Sequence, residues 1–291
     1  MVASARDPSL ERLPLATDLE GPSTPGPSEE MWRALLLGTD PRFSRTRSWL
    51  KHVPSEPRCK MCAAPFGGLG SPLMHLLGRQ RWKKNPTYCT FCFSVLESSK
   101  GGAEIEASFL FADVRGSTSI AEGISAGAFR SLLNRFYDVA ARVLVEHDAI
   151  VDKFVGDEVV ALFVPALTAE AHARQAVEAA LALLRATGHA DEGGPWIPVG
   201  AGVHTGVAFI GSVGEPPVSD LTALGDVVNT TARLASAAAA GEILVTHPAA
   251  LASGLDTSTM EQRDLALKGK SESTAVFVAT LTTPVTAQHV A

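Results

Sequence analysis

The sequence predicts an α/β chain: an α+β sandwich in which a mixed sheet is flanked by helices, preceded by a small module that carries the cysteines. Three features point to it. The run Glu104–Asp113, EIEASFLFAD, opens in alternation and becomes wholly apolar, as a buried strand does. Ala126–His147 carries apolar residues at helical spacing, and the apolar stretch Ala149–Phe163 that follows breaks at Gly156-Asp157, so it reads as a hairpin. All four cysteines fall between residues 59 and 92, as Cys59-x-x-Cys62 and Cys89-x-x-Cys92 with 26 residues between the pairs.

Taken in order, residues 1–28 are rich in Pro, Ser, Gly and Thr without periodicity and are expected to form a disordered leader. Met31–Leu37 predicts a short helix capped by Ser28, with Glu29 and Glu30 in its first turn, and Phe43–Leu50 predicts another. Trp32, Leu36, Phe43 and Trp49 are expected to pack against the cysteine module, which spans 29–97. Residues 98–103, polar and glycine-containing, are expected to link it to a main domain at 104–282. In that domain Ala169–Ala186 and Asp226–Ala238 read as helices. Trp196–Gly202, Val207–Val213, Glu242–Val245 and Ala275–Thr280 read as strands, and 283–291 as a flexible tail.

Of 291 residues, 46% are hydrophobic, enough for a sizeable core. The net charge of −6 conceals an asymmetry: residues 1–102 carry 14 Lys/Arg against 9 Asp/Glu, and the remainder 11 against 22. An acidic domain repels a polyphosphate unless cations and a few placed basic groups intervene, and it disfavours general nucleic-acid binding. No run approaches the roughly 18–20 apolar residues of a membrane span, and no basic segment followed by an apolar one opens the chain, so a cytoplasmic protein without a membrane partner is expected.

Each Cys-x-x-Cys turn presents two thiolates to one ion, so Cys59, Cys62, Cys89 and Cys92 predict a structural zinc site of zinc-ribbon type. Redox dithiols and unrelated buried cysteines are the alternatives. Arg79, Arg81, Lys83 and Lys84 lie inside this loop; a solvated face explains them more simply than nucleic acid, and docking on the acidic domain is a third reading.

Asp113 ends one apolar run and Asp157 precedes another, positions where an unpaired carboxylate is costly unless a cation meets it. Two Mg2+ or Mn2+ ions shared between them would activate a hydroxyl and neutralise phosphate oxygens. Beyond Asp113, Gly116-Ser117-Thr118 leads into a helix whose first N–H groups can face phosphates, Gly116 allowing close approach. Asn229 and Arg233, four apart on a predicted helix, share a face.

Together with these motifs, His204–Gly214 (HTGVAFIGSVG), Leu221–Asp226 (LTALGD), Ala232–Ser236 (ARLAS), Gly241–Val245 (GEILV) and Leu267–Gly269 (LKG) make residues 104 to about 280 resemble a class III nucleotide cyclase catalytic domain. The resemblance implies conversion of ATP to 3',5'-cyclic AMP and pyrophosphate. It makes Asp113, Asp157 and the Val114 backbone carbonyl ligands of two Mg2+ or Mn2+ ions. It places Lys153 and Thr222 on the purine, where they favour ATP over GTP, Asn229 on the ribose, Arg233 on the transition-state phosphate and Lys268 on the terminal phosphates. Val207 stands where several family members have a phosphate-binding arginine, a role that Arg115 or solvent would then fill. The family divides its site between two subunits, which implies a head-to-tail homodimer. A guanylate cyclase and a catalytically silent cyclase-like module are the alternatives; an ion pair of Lys153 with Asp152 or Asp157, and a surface ion pair for Arg233, are the simpler readings of those two cations.

Overall fold

A computed structural model describes residues 27–50, 52–53, 57–68, 70–82, 86, 88–215, 218–266 and 273–283. The expected leader and tail fall outside the described residues, apart from Pro27, Ser28 and Thr283. Four helices come first: α1 (Pro27–Leu36), α2 (Pro41–Leu50), α3 (Ser71–Leu76) and α4 (Thr90–Ser98). Then follow β1 (Gly101–Val114), α5 (Ser117–Gly123), α6 (Ala126–Glu146), β2 (Ile150–Val155), β3 (Glu158–Phe163), α7 (Pro165–Thr168) and α8 (His172–Ala186). The chain closes with β4 (Val199–Glu215), β5 (Val218–Leu224), α9 (Asp226–Ala237), β6 (Ile243–Thr246), α10 (His247–Ser253), β7 (Glu261–Leu265) and β8 (Thr274–Ala279).

The strands form one sheet in the order β2-β3-β1-β4-β6-β8-β7, with β5 paired to β4. The β4–β6 pairing is parallel and the other pairings are antiparallel, so the sheet is mixed as the sequence predicts. Helices cover both faces. Along β1, Leu110, Ala112 and Val114 enter a core with residues of α6, α8 and α10. Ile105, Phe109 and Phe111 enter the opposite core, built with α9, α1 and the cysteine module. Asp113 continues the second series and therefore projects on the α9 side.

Close backbone approach seats α9. On β4, Gly200 and Gly202 lie on that same face, and a Cβ on Gly202 would come within 2.6 Å of the Ala235 nitrogen and the Leu234 side chain. A Cβ on Gly200 would meet the Ala238 and Ala239 carbonyls at 2.8 and 2.9 Å. These glycines serve helix packing and do not break the strand. The two strands expected at Trp196–Gly202 and Val207–Val213 are accordingly one, Val199–Glu215, with Trp196 outside it.

Other expectations also change. The segment expected to link at 98–103 is largely structured: α4 runs through Ser98, and Gly101, Gly102 and Ala103 pair with Ser212, Gly211 and Ile210 of β4. Helix α1 starts before Ser28, whose hydroxyl donates to the Lys100 carbonyl at 2.8 Å instead of capping. Trp32, Leu36 and Phe43 are buried, but Trp49 is 74% exposed. Helix α8 starts at His172, three residues later than the pattern suggests, after a 3-10 turn at Ala169–Ala171. Within the module, the described extended pairing consists of the isolated bridges Arg58–Pro65 and Arg81–Cys89, and Cys92 lies in the first turn of α4.

Trp32 joins the module to the sheet: it is fully buried, and its Nε1 donates to the Lys100 carbonyl at 3.2 Å. Because module and sheet share one core, Trp32→Ala is expected to cost about 3–5 kcal/mol. Urea unfolding of the variant should show one earlier transition, not a separate loss of the module alone.

Candidate active site

Backbone pairing assembles a carboxylate group at the end of β1. Asp113 lies opposite Glu158 of β3, and the Val114 N–H donates to the Asp157 carbonyl at 3.2 Å, drawing the β2–β3 turn against the strand end. Gly156 takes the left-handed conformation that the turn needs, φ +62°, and the Tyr137 hydroxyl donates to its carbonyl. Three acidic side chains thus meet in a partly buried space. Burial lifts Asp113 to about 6; Arg115 opposes that rise, while the Asp157 charge and a hydrogen bond with it add to it. Glu158 is pushed up to about 7, first by burial and then by the Asp113 and Asp157 charges. Glu158 did not stand out in the sequence; its position beside Asp157 was the available signal.

The Arg115 guanidinium pairs with the Asp113 carboxylate and donates to the Ser236 carbonyl at 2.8 Å. It therefore ties the end of β1 to the C-terminal turn of α9, the electronegative end of that helix. Past it, Gly116 has φ +67° with open space where a Cβ would stand, and Ser117 and Thr118 begin α5. The short first turn of α5 is thus open beside the carboxylates.

Lys153 and Thr222 meet although they lie on β2 and β5. Lys153 Nζ donates to Thr222 Oγ1 at 3.0 Å, and the Thr222 hydroxyl donates to Asp152 Oδ2 at 2.9 Å. Lys153 also stands 3.4 Å from Asp152, so the simpler reading of this lysine, an ion pair on its own strand, is present alongside the contact with Thr222. On α9, Val227, Thr230, Thr231, Leu234 and Ala235 are buried, which leaves Asn229 exposed and Arg233 half-buried on the other face. Among the described residues no carboxylate pairs with Arg233. Val207 is 58% exposed. Lys268 lies outside the described residues.

The fourth group lies in the module. The sulfur atoms of Cys59, Cys62, Cys89 and Cys92 all fall within 4.8 Å of one another, and none is in a disulfide. Cys62 and Cys89 are 3.7 Å apart, and Cys59 and Cys92 4.0 Å. A tetrahedral ion with metal–sulfur bonds of about 2.3 Å requires separations of about 3.8 Å. The Cys89 N–H donates to Cys59 Sγ at 3.3 Å and Arg79 donates to Cys62 Sγ at 3.2 Å, contacts that favour thiolates. Hydrogen bonding within the crowd holds Cys62 below the ordinary thiol range and pushes Cys92 above it. The residues present fit one soft tetrahedral cation.

Residues 103–280 match the family described as the Adenylate and Guanylate cyclase catalytic domain. The chain belongs to that family. Its cyclase domain is similar to Adenylate cyclase 1 of Rhizobium meliloti, 34% identical over 134 residues, which is 44% of this chain and 20% of that protein. It is also similar to Adenylate cyclase of Anabaena cylindrica, 33% identical over 129 residues, 43% of this chain and 26% of that one. The matched region therefore spans about a quarter or less of these relatives. Among solved structures, the guanylyl cyclase Cya2 superposes with a TM-score of 0.56 at 25% identity, covering 61% of this chain and 93% of that one. The adenylyl cyclase CyaB from P. aeruginosa does so with a TM-score of 0.53 at 28% identity, covering 61% and 95%. No helix among the described residues is long and apolar enough to cross a membrane.

Without metal, the raised acids of the cyclase domain bind protons more tightly folded than unfolded. Their stabilisation is complete below the ordinary carboxylate pKa and is lost as pH rises through about 6 for Asp113 and about 7 for Glu158. Glu158→Gln should therefore stabilise the metal-free protein by about 1–3 kcal/mol at pH 8 and have little effect near pH 4. Thermal melts in chelator across that range check it; an equal shift at both ends would count against an origin in the buried Glu158 charge.

Proposed function

We propose that this cyclase domain is an adenylate cyclase, converting ATP to 3',5'-cyclic AMP and pyrophosphate at sites shared by two copies arranged head to tail. The contact of Lys153 with Thr222 carries the choice of base. An ammonium can only donate, which suits adenine N1, and a hydroxyl oxygen can accept from the adenine amino group. Guanine presents an N–H donor where the ammonium can only donate, so the lysine contact would be mismatched.

Asp113 and Asp157, with the Val114 carbonyl, would hold two Mg2+ or Mn2+ ions; bound there, the cations supply charge neutralisation at the phosphates and a more acidic ribose hydroxyl. The carboxylates fit this role because their mutual repulsion in a partly buried site is relieved by positive charge. Gly116, Ser117 and Thr118 would seat the phosphates at the start of α5, and Lys268 would reach the terminal ones. From the partner copy, Asn229 would orient the ribose and Arg233 would stabilise charge on the reacting phosphate. Its fork geometry and lack of a carboxylate partner among the described residues support that role. Because one chain carries both sets, a homodimer has two equivalent sites. Exposed Phe154, Val155 and Leu224 on the strands bearing Lys153 and Thr222 supply apolar surface for a second copy. The four cysteines would hold one structural Zn2+.

Purified protein given ATP or GTP with Mg2+ or Mn2+ should yield cyclic AMP, and Asp157→Ala should abolish it; cyclic GMP as the main product would overturn the reading of the base. Arg233→Ala should lower kcat by about 10²–10³. Mixing Asp113→Ala with Arg233→Ala should restore about a quarter of wild-type activity, since half of randomly formed dimers carry one intact site of two. No recovery with heterodimers confirmed would contradict a shared site. Elemental analysis should find about one zinc per chain, lost in Cys62→Ser, and a folded wild-type protein free of metal would reject the zinc site.

A further inference from the structure

The reader of the base is a group of three residues. Neighbours along a regular strand point to opposite faces, yet Asp152 and Lys153 both reach Thr222, at 2.9 and 3.0 Å. The cause is a register shift in the β2–β3 pairing between Val151 and Lys153, with Asp152 as the extra residue. The Asp152 side chain is only 4% exposed, so its position reflects the fold and not a mobile surface contact.

We infer that Asp152 is a specificity-determining positioning residue: its carboxylate accepts the hydrogen bond of the Thr222 hydroxyl and so fixes that oxygen as an acceptor toward the base. A threonine hydroxyl has one hydrogen and two lone pairs. The hydrogen is directed to Asp152 Oδ2, and Lys153 Nζ occupies one lone pair. What remains for a ligand is a lone pair, which welcomes the adenine amino group and repels guanine O6. Alone, a threonine can turn to donate or accept and discriminates weakly. Asp152 removes that freedom without touching the nucleotide, and it also holds the Lys153 ammonium nearby, leaving hydrogens of that group for adenine N1.

This inference rests on the proposed reading of the base by Lys153 and Thr222, and four proteins separate the two. The ratio of kcat/KM for ATP to that for GTP is measured in wild type, Asp152→Ala, Thr222→Val and the double variant; where turnover is slow, the ratio of Kd values from calorimetry replaces it. Asp152→Ala is expected to lower the ratio at least about tenfold, with GTP holding or improving, because the freed hydroxyl can donate to O6. Thr222→Val should lower it too, and adding Asp152→Ala to Thr222→Val should change it by clearly less than Asp152→Ala does in wild type, the remainder coming from the contact of Asp152 with Lys153. If Asp152→Ala reduces both nucleotides by one factor, or acts undiminished in the Thr222→Val background, the role assigned to Asp152 is wrong while the base reading stands. If Thr222→Val leaves the ratio untouched, the base reading itself fails. Should the alanine variant not fold, Asp152→Asn keeps the shape and lets the side chain either accept or donate; the ratio should fall in the same direction, and an unchanged ratio would overturn the proposal.

Discussion

Strand β1 is paired along both edges, and the alternation of its side chains is the constraint on which the rest of the molecule depends. Antiparallel register with β3 and with β4 fixes which residues face which side. A slip of one position would send Asp113 into the core under α6 and α8 and bring Leu110 and Ala112 out of it. The same register places Glu158 opposite Asp113 and sets Gly200 and Gly202 under α9. Acidic group, helix seat and module contact therefore follow from one set of backbone hydrogen bonds.

That register concentrates like charge. A folded protein tolerates three neighbouring carboxyl groups in partial burial by keeping some protonated, by pairing one with a cation, or by binding ions. The first two devices are visible: Asp113 and Glu158 are raised, and Arg115 pairs with Asp113. Arg115 is thereby committed to the strand end and to the Ser236 and Ala238 carbonyls at the C-terminal end of α9, which weakens its candidacy as the phosphate-binding substitute for the arginine that Val207 replaces. Its pairing also links the carboxylates to the helix bearing Asn229 and Arg233.

The sequence disclosed what depends on composition and spacing and concealed what depends on pairing. Asp113 and Asp157 stood out as charges in apolar runs, Cys59, Cys62, Cys89 and Cys92 by their intervals, and Asn229 with Arg233 by helical period. Asp152 was legible only as an ion-pair partner of Lys153, and Glu158 only as the neighbour of Asp157, because a bulge and a cross-strand register create the rest of their surroundings. The continuity of β4 from Val199 to Glu215 was not read from the sequence, because the partners that seat Gly200 and Gly202, residues of α9 and its C-terminal end, are distant in sequence. Strand β7, Glu261–Leu265, was missed for a related reason: it pairs at the end of the sheet, where charged residues suit an exposed edge and erase the alternation of a half-buried strand.

The cysteine module cannot be treated as a bead tethered to an enzyme. Lys60, between the two cysteines of the first knuckle, pairs with Asp148 at the left-handed turn between α6 and β2. Ile150, the first residue of β2, packs into the core containing Cys59, Cys62, Cys89 and Cys92. Two residues beyond it the strand bulges to present Asp152 and Lys153, and it then enters the turn that carries Asp157. Both proposed functional groups on this hairpin are consequently anchored at one end by the fold of the knuckle. The strand holding the residues of the proposed purine site thus has the cysteine module as part of its packing support.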